Sequence, residues 1–162
     1  MIKINYKNGS SLVEIVVAIF IFTVVLGLLI NISSTYLSSS GDNLNIAKGA
    51  YLAEEGIEAV KIIRDSGWSN ISSLSNNTNY YLYFNTSSST NIWQATTSAL
   101  IIDSIFARTF VLNPVYRDSN GRIINSGGTL DANTEQVVVS VSWPSKASTM
   151  TKSLSTYIAN IL

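Results

Sequence analysis

Gly9-Ser10-Ser11-Leu12-Val13-Glu14 opens a stretch whose remainder, residues 12–32, reads LVEIVVAIFIFTVVLGLLINI. Those 21 residues hold one charge, Glu14. As a helix rising 1.5 Å per residue they extend about 31 Å, enough to cross the hydrocarbon core of a bilayer. Lys3 and Lys7 precede the run, and flanking cations are retained on the cytoplasmic side, so the bulk of the chain is expected outside the membrane. A secretory signal peptide fits poorly. Asn31-Ile32-Ser33-Ser34-Thr35-Tyr36 lacks a small-x-small cleavage pattern, and the apolar run is long for a signal. A plain anchor accounts for the length and the lysines but not for Glu14, because a carboxylate at the centre of a spanning helix costs roughly 2.5–3.5 kcal/mol and such residues ordinarily have a task.

Composition narrows the rest. The 162 residues carry ten acidic and ten basic side chains, for a net charge of zero, and mean hydropathy is positive. Charged residues make up 12%, about half the usual share, so no phosphate-neutralising grip on nucleic acid is expected. Cysteine and histidine are absent. Disulfides, thiol nucleophiles, imidazole bases and zinc sites built on either residue are thereby excluded. No metal or other cofactor is expected.

A helical pattern follows the apolar run. Ile46, Ala50, Ala53, Ile57 and Val60 recur at helical spacing and predict one buried face. Glu54, Glu55, Glu58 and Lys61 fall largely outside it and read as a solvated face. Gly67 suits a left-handed cap after residue 66. Residues 10–66 as one rod would extend about 85 Å, longer than an ordinary globular helix. Residues 67–100 are rich in Ser, Thr and Asn and read as a loop-rich linker with one or two strands. Tyr80-Tyr81-Leu82-Tyr83-Phe84 is an aromatic strand, its tyrosines read as packing rather than as a carbohydrate surface. Residues 105–116 are strand-like, with Pro114 marking an edge or a bulge. Asp118-Ser119-Asn120-Gly121 is a turn rather than a calcium loop. Residues 136–143, QVVVSVSW, form a strand with Val139, Val141 and Trp143 on one side. After a turn at residues 144–148, residues 149–162 pair back with Leu154, Thr156 and Ile158 on one side.

A basic leader, Gly9, four residues, Glu14 and an uninterrupted apolar helix together resemble the processing region of the type IV pilin and pseudopilin superfamily. The run Tyr51-Leu52-Ala53-Glu54-Glu55-Gly56-Ile57-Glu58-Ala59-Val60 is also similar to minor pilins and the related secretion pseudopilins, and the C-terminal hairpin resembles their closing strands more loosely. The resemblance implies an α+β pilin fold, with a long N-terminal helix packed on a C-terminal antiparallel sheet. It divides the chain into a leader (1–9), a helix (10–66) with its transmembrane part at 12–32, and a β-rich extracytoplasmic head (67–162). A prepilin peptidase would cut between Gly9 and Ser10, and N-methylation would fall on Ser10, where the family most often has Phe. Glu14 would be the fifth mature residue, pairing with the freed amine of a neighbouring subunit's Ser10 to set axial register. Ala18 and Gly27 would permit close helix approach in a filament core.

The chain is then expected to be a structural subunit rather than an enzyme. Its partners would be membrane lipid, the peptidase, other pilin or pseudopilin subunits and an inner-membrane assembly platform, with no direct nucleic-acid contact. It would reside in the cytoplasmic membrane as a single-pass precursor and afterwards in an extracellular or periplasmic filament. A minor pilin is the first reading, and a pseudopilin of a secretion or DNA-uptake machine the second. The third is a membrane-anchored extracellular binding domain or hydrolase, for which Asp103, Asp118, Asp131 and Glu135 are the plausible carboxylates, though nothing in the sequence pairs them.

Overall fold

The computed structural model describes residues 8–86, 92–145 and 148–161, and side chains from residue 12 onward. Lys3 and Lys7 of the expected leader, Lys146 and Ala147 of the expected final turn, and Leu162 lie outside the described residues. The molecule is α+β. Helix α1 spans Asn8–Asp65, and a short helix α2 spans Ser69–Ser72. Seven strands follow: β1 (Tyr80–Asn85), β2 (Ile92–Thr96), β3 (Ile101–Ile102), β4 (Phe106–Arg117), β5 (Ile123–Ile124), β6 (Thr129–Ser145) and β7 (Ser148–Ala159). They form one antiparallel sheet in the order β2-β1-β4-β6-β7, with β3 and β5 each pairing β4.

The chain divides into two compact units, residues 1–43 and 44–162. The first contains the apolar part of α1, and its residues 12–41 are all exposed. In the second, the remaining turns of α1 bury Gly49, Leu52, Ala53, Gly56, Ile57, Val60 and Ile63. Opposite them lie Phe106, Phe110 and Leu112 of β4 and Val137, Val139, Val141 and Trp143 of β6. These strand residues alternate with outward-facing neighbours, as a half-buried sheet requires. Tyr80 stacks on Phe110 with ring centroids 5.6 Å apart, and its hydroxyl accepts a hydrogen bond from the Ser75 amide at 2.9 Å. Its polar tip is thereby satisfied inside the core.

The buried stripe is rotated from the one the apolar pattern predicts. Ile46 is exposed and Ala50 only half-buried, whereas Gly49 and Gly56 lie at the contact. A Cβ on Gly49 would sit 2.5 Å from Cζ3 of Trp143, and one on Gly56 would sit 2.7 Å from Cγ1 of Val139. The glycines are the floor on which large sheet side chains rest. A pattern search that counts only apolar side chains passes over them.

Helix α1 ends where Gly67 adopts φ +143°, its amide donating to the Arg64 carbonyl at 2.9 Å. Pro114 lies in the central strand β4, at the register shift between Pro114 and Tyr116. A bulge spares the ladder the donor that proline lacks. Along β7, Leu154, Thr156 and Ile158 oppose Val139, Val137 and Glu135. Only Ile158 is buried, and Leu154 is exposed.

Alanine at Gly56 should destabilise the protein. Overpacking costs about 1–3 kcal/mol and outweighs the gain in helix propensity of up to about 1 kcal/mol. At Gly41, where an added Cβ would meet nothing within 4 Å, alanine should leave stability equal or slightly higher. Denaturant unfolding of both variants in detergent checks the opposite signs.

Candidate functional site

From residue 12 to residue 32 the helix presents Leu, Val, Ile and Phe side chains, all of them exposed. This is the one helix among the described residues that is long and apolar enough to cross a membrane. Its few polar groups are returned to the helix itself. The Thr23 hydroxyl lies 3.0 Å from the Ile19 carbonyl and 2.8 Å from that of Phe20. Asn31 Nδ2 donates to the Gly27 carbonyl at 2.9 Å, and Thr35 Oγ1 donates to the Asn31 carbonyl at 3.0 Å. Such back-bonding is what a segment in hydrocarbon requires, since water is not there to satisfy a free donor.

Glu14 differs. It is exposed, and among the described residues no hydrogen bond or ion pair reaches it. Ser10 lies one helical turn earlier in the same helix, because α1 already begins at Asn8. Ala18 and Gly27 are exposed on the same segment, and nothing lies within 4 Å of a Cβ built on Gly27. No contact among the described residues therefore demands a small residue at 27. Gly9 and Ser10 thus lie in the same helix as Glu14, Ala18 and Gly27, and the last three are exposed.

The head holds a different feature, which the sequence reading missed. Arg108 projects from β4 toward α1 and is almost wholly buried. Its Nη1 donates to the Leu52 carbonyl at 3.3 Å and pairs with Glu55 Oε2 at 3.1 Å. Its guanidinium lies over the Trp93 ring, 5.2 Å from the centroid. Its Nε is buried without a partner among the described residues. The clue in the sequence is its register: Arg108 shares parity with Phe106 and Phe110. Arg is usually read as exposed, and that prior hid it. Glu55 belongs to the expected solvated face and is indeed half-exposed, yet it also closes over this cation. Lys48 pairs with Asp103 at 2.5 Å and lies over the Phe106 ring.

The four carboxylates considered for chemistry do not converge as one group. Asp103 is committed to Lys48. Asp118 Oδ1 accepts the amides of Asn120 and Arg122 at 2.9 and 2.8 Å, so it organises its own turn. Asp131 accepts from Arg117 Nε at 2.6 Å. That bond, with those from Thr134 and the Asn133 amide, holds its pKa below the usual carboxylate value. Glu135 lies near Asp131. Burial raises its pKa, the Asp131 charge adds to the rise, and a hydrogen bond with Asn76 opposes it. Its Oε2 has no partner among the described residues. Among the described residues no group of three or more metal-binding side chains occurs. Comparison with protein-family models, with curated proteins and with solved structures returned no match.

Two outcomes follow for the head. Arg108→Met should keep stability within about 1 kcal/mol of the parent. It preserves volume and removes the desolvation cost of a buried cation, at the expense of the ion pair and the stacking on Trp93. Arg108→Ala should lose about 2–4 kcal/mol by leaving a cavity beside Gly56. Equilibrium unfolding separates the two. For Glu135, a pKa raised by folding means that the native state binds more protons than the unfolded chain between the ordinary value of 4.5 and the raised one. Stability from this group is therefore lost as pH rises through that window. Glu135→Gln should match the parent below pH about 4 and exceed it at pH about 7, as read by melting temperature across pH.

Proposed function

We propose that the chain is a processed structural subunit, a minor pilin, of a type IV pilus-like filament, and not an enzyme. The observation that carries this reading is the uncovered apolar helical segment with Glu14 as its only charge, five residues beyond Gly9. Every other polar side chain with a bond on that segment satisfies itself on its own backbone. Glu14 calls for a partner from elsewhere. Cleavage between Gly9 and Ser10 by a prepilin peptidase supplies one, because it exposes an α-amine one turn from each Glu14. In lipid the carboxylate is costly. In a bundle of like helices, the amine of a neighbouring Ser10 neutralises it and sets the axial step between subunits. Ala18 and Gly27 let helices approach closely there. The precursor waits in the cytoplasmic membrane with its head outside, and an assembly platform transfers it into the filament. The same chemistry would serve a pseudopilin of a secretion or DNA-uptake machine.

Co-expression with a prepilin peptidase should yield a mature chain beginning at Ser10, seen by intact mass. Glu14→Val should still fractionate with membranes. An unpaired carboxylate costs roughly 2.5–3.5 kcal/mol at the centre of a spanning helix and less near an end, where Glu14 lies, and each 1.4 kcal/mol is about tenfold. The variant should therefore enter sheared filaments at least about tenfold less. An unprocessed chain in filaments, or normal incorporation of Glu14→Val, would overturn the reading.

A further inference from the structure

Among the described residues, four successive rows across β4, β6 and β7 on the face that points away from α1 bear no charge. In that order of strands they are Ala107–Ser142–Thr151, Thr109–Ser140–Ser153, Val111–Val138–Ser155 and Asn113–Gln136–Tyr157. At the last row the surface becomes concave. The β4 bulge at Pro114 and the short β5 strand, paired to β4 through Tyr116 and Ile124, raise one wall. The β7 tyrosine, Tyr157, stands on the other side. The resulting cleft has a volume of about 160 Å³ and is lined by Tyr116, Tyr157, Gln136, Asn125, Pro114 and Ile124, among others, with no charged residue in its lining.

We infer that this cleft binds one neutral pyranose unit of an uncharged polysaccharide. Three properties select that class. With no cation or carboxylate in the lining, a phosphate, an organic acid or an amine would lose its hydration without gaining a counter-charge. A purely apolar ligand would strand the amides of Gln136 and Asn125. Gln136 Oε1 accepts from Asn113 Nδ2 at 3.3 Å, and Gln136 lines the cleft with its Nε2 a donor available to a ligand. Tyr116 and Tyr157 are exposed and offer ring faces with hydroxyl tips, which suits a ligand with one apolar face and polar edges. The size matches a single sugar ring, being smaller than the roughly 300–1,000 Å³ of clefts for drug-sized ligands. The uncharged rows beyond the cleft let a polymer continue across β4, β6 and β7 without meeting a repelling group. None of this depends on how the N-terminal helix is used.

Saturation-transfer NMR on the full chain in a detergent without a sugar headgroup tests it. The probes are methyl hexopyranosides, neutral hexose oligomers and glucuronate. Transfer to at least one neutral sugar is expected, with a Kd of roughly millimolar for a single ring and tighter for its oligomer. Tyr157→Ala and Gln136→Ala should each weaken it at least about tenfold, with thermal unfolding and near-UV spectra unchanged. Tyr157→Phe should retain binding, as should Thr151→Ala on the same face but outside the cleft. No transfer to any neutral sugar, transfer unaffected by folded Tyr157→Ala and Gln136→Ala, or preference for glucuronate would each overturn the assignment.

Discussion

At Gly49 and Gly56 the backbone of α1 comes so near the sheet that a methyl group has no room. This close approach sets the depth of the head's core. Trp143 lies against one glycine and stacks near Phe106. Val139 and the stem of Arg108 lie against the other. Leu52, Ala53, Ile57 and Val60 then fill the spaces between, in the ordinary way of a helix on a sheet. Because helix and sheet meet so closely, the Arg108 guanidinium reaches the Leu52 carbonyl and Glu55 beyond it. A wider spacing would leave that cation buried without either partner. The chain has no cysteine, so this packing and the strand ladders hold the head without a covalent brace.

The two units of the chain treat their apolar side chains differently. The head encloses a core of apolar side chains beneath a surface of Ser, Thr and Asn with scattered exposed apolar residues such as Ile101 and Leu130. The N-terminal segment encloses nothing and turns its polar groups inward onto its own carbonyls. Such a segment is long and apolar enough to cross a membrane, where polar groups must be satisfied internally. Glu14 is the exception within it, and the proposed function rests on that exception.

Much of this organisation was legible in the residues. The apolar run, the stop at Gly67 and the alternation of Val139, Val141 and Trp143 against Ser140 and Ser142 all express strong local periodicities. The bulge at Pro114 follows from proline's missing donor. What escaped were features decided by contacts distant in the chain. Gly49 and Gly56 look like weak helix formers until Trp143 and Val139 are seen above them. Arg108 looks like a surface residue until its strand register places it between Phe106 and Phe110. The β1–β2 hairpin was blurred by a Ser- and Thr-rich stretch that carries no alternation. Tyr116 and Tyr157 are 41 positions apart in sequence and come to line one cleft only in the folded sheet.

The glycine-floored stripe also bears on how the chain is made. Residues 49–63 leave the ribosome before any strand that will cover them, and Trp143 emerges long after them. Throughout that interval Leu52, Ile57 and Ile63 have no sheet to rest on, in the same helix as a segment apolar enough to cross a membrane. Glu54, Glu55 and Glu58, with Lys61, occupy the other side of the same turns. Charges flanking an uncovered apolar stretch discourage its association with other nascent chains and its slipping into the bilayer. Such a flank would favour water over a bilayer for these turns in a chain that is not yet folded.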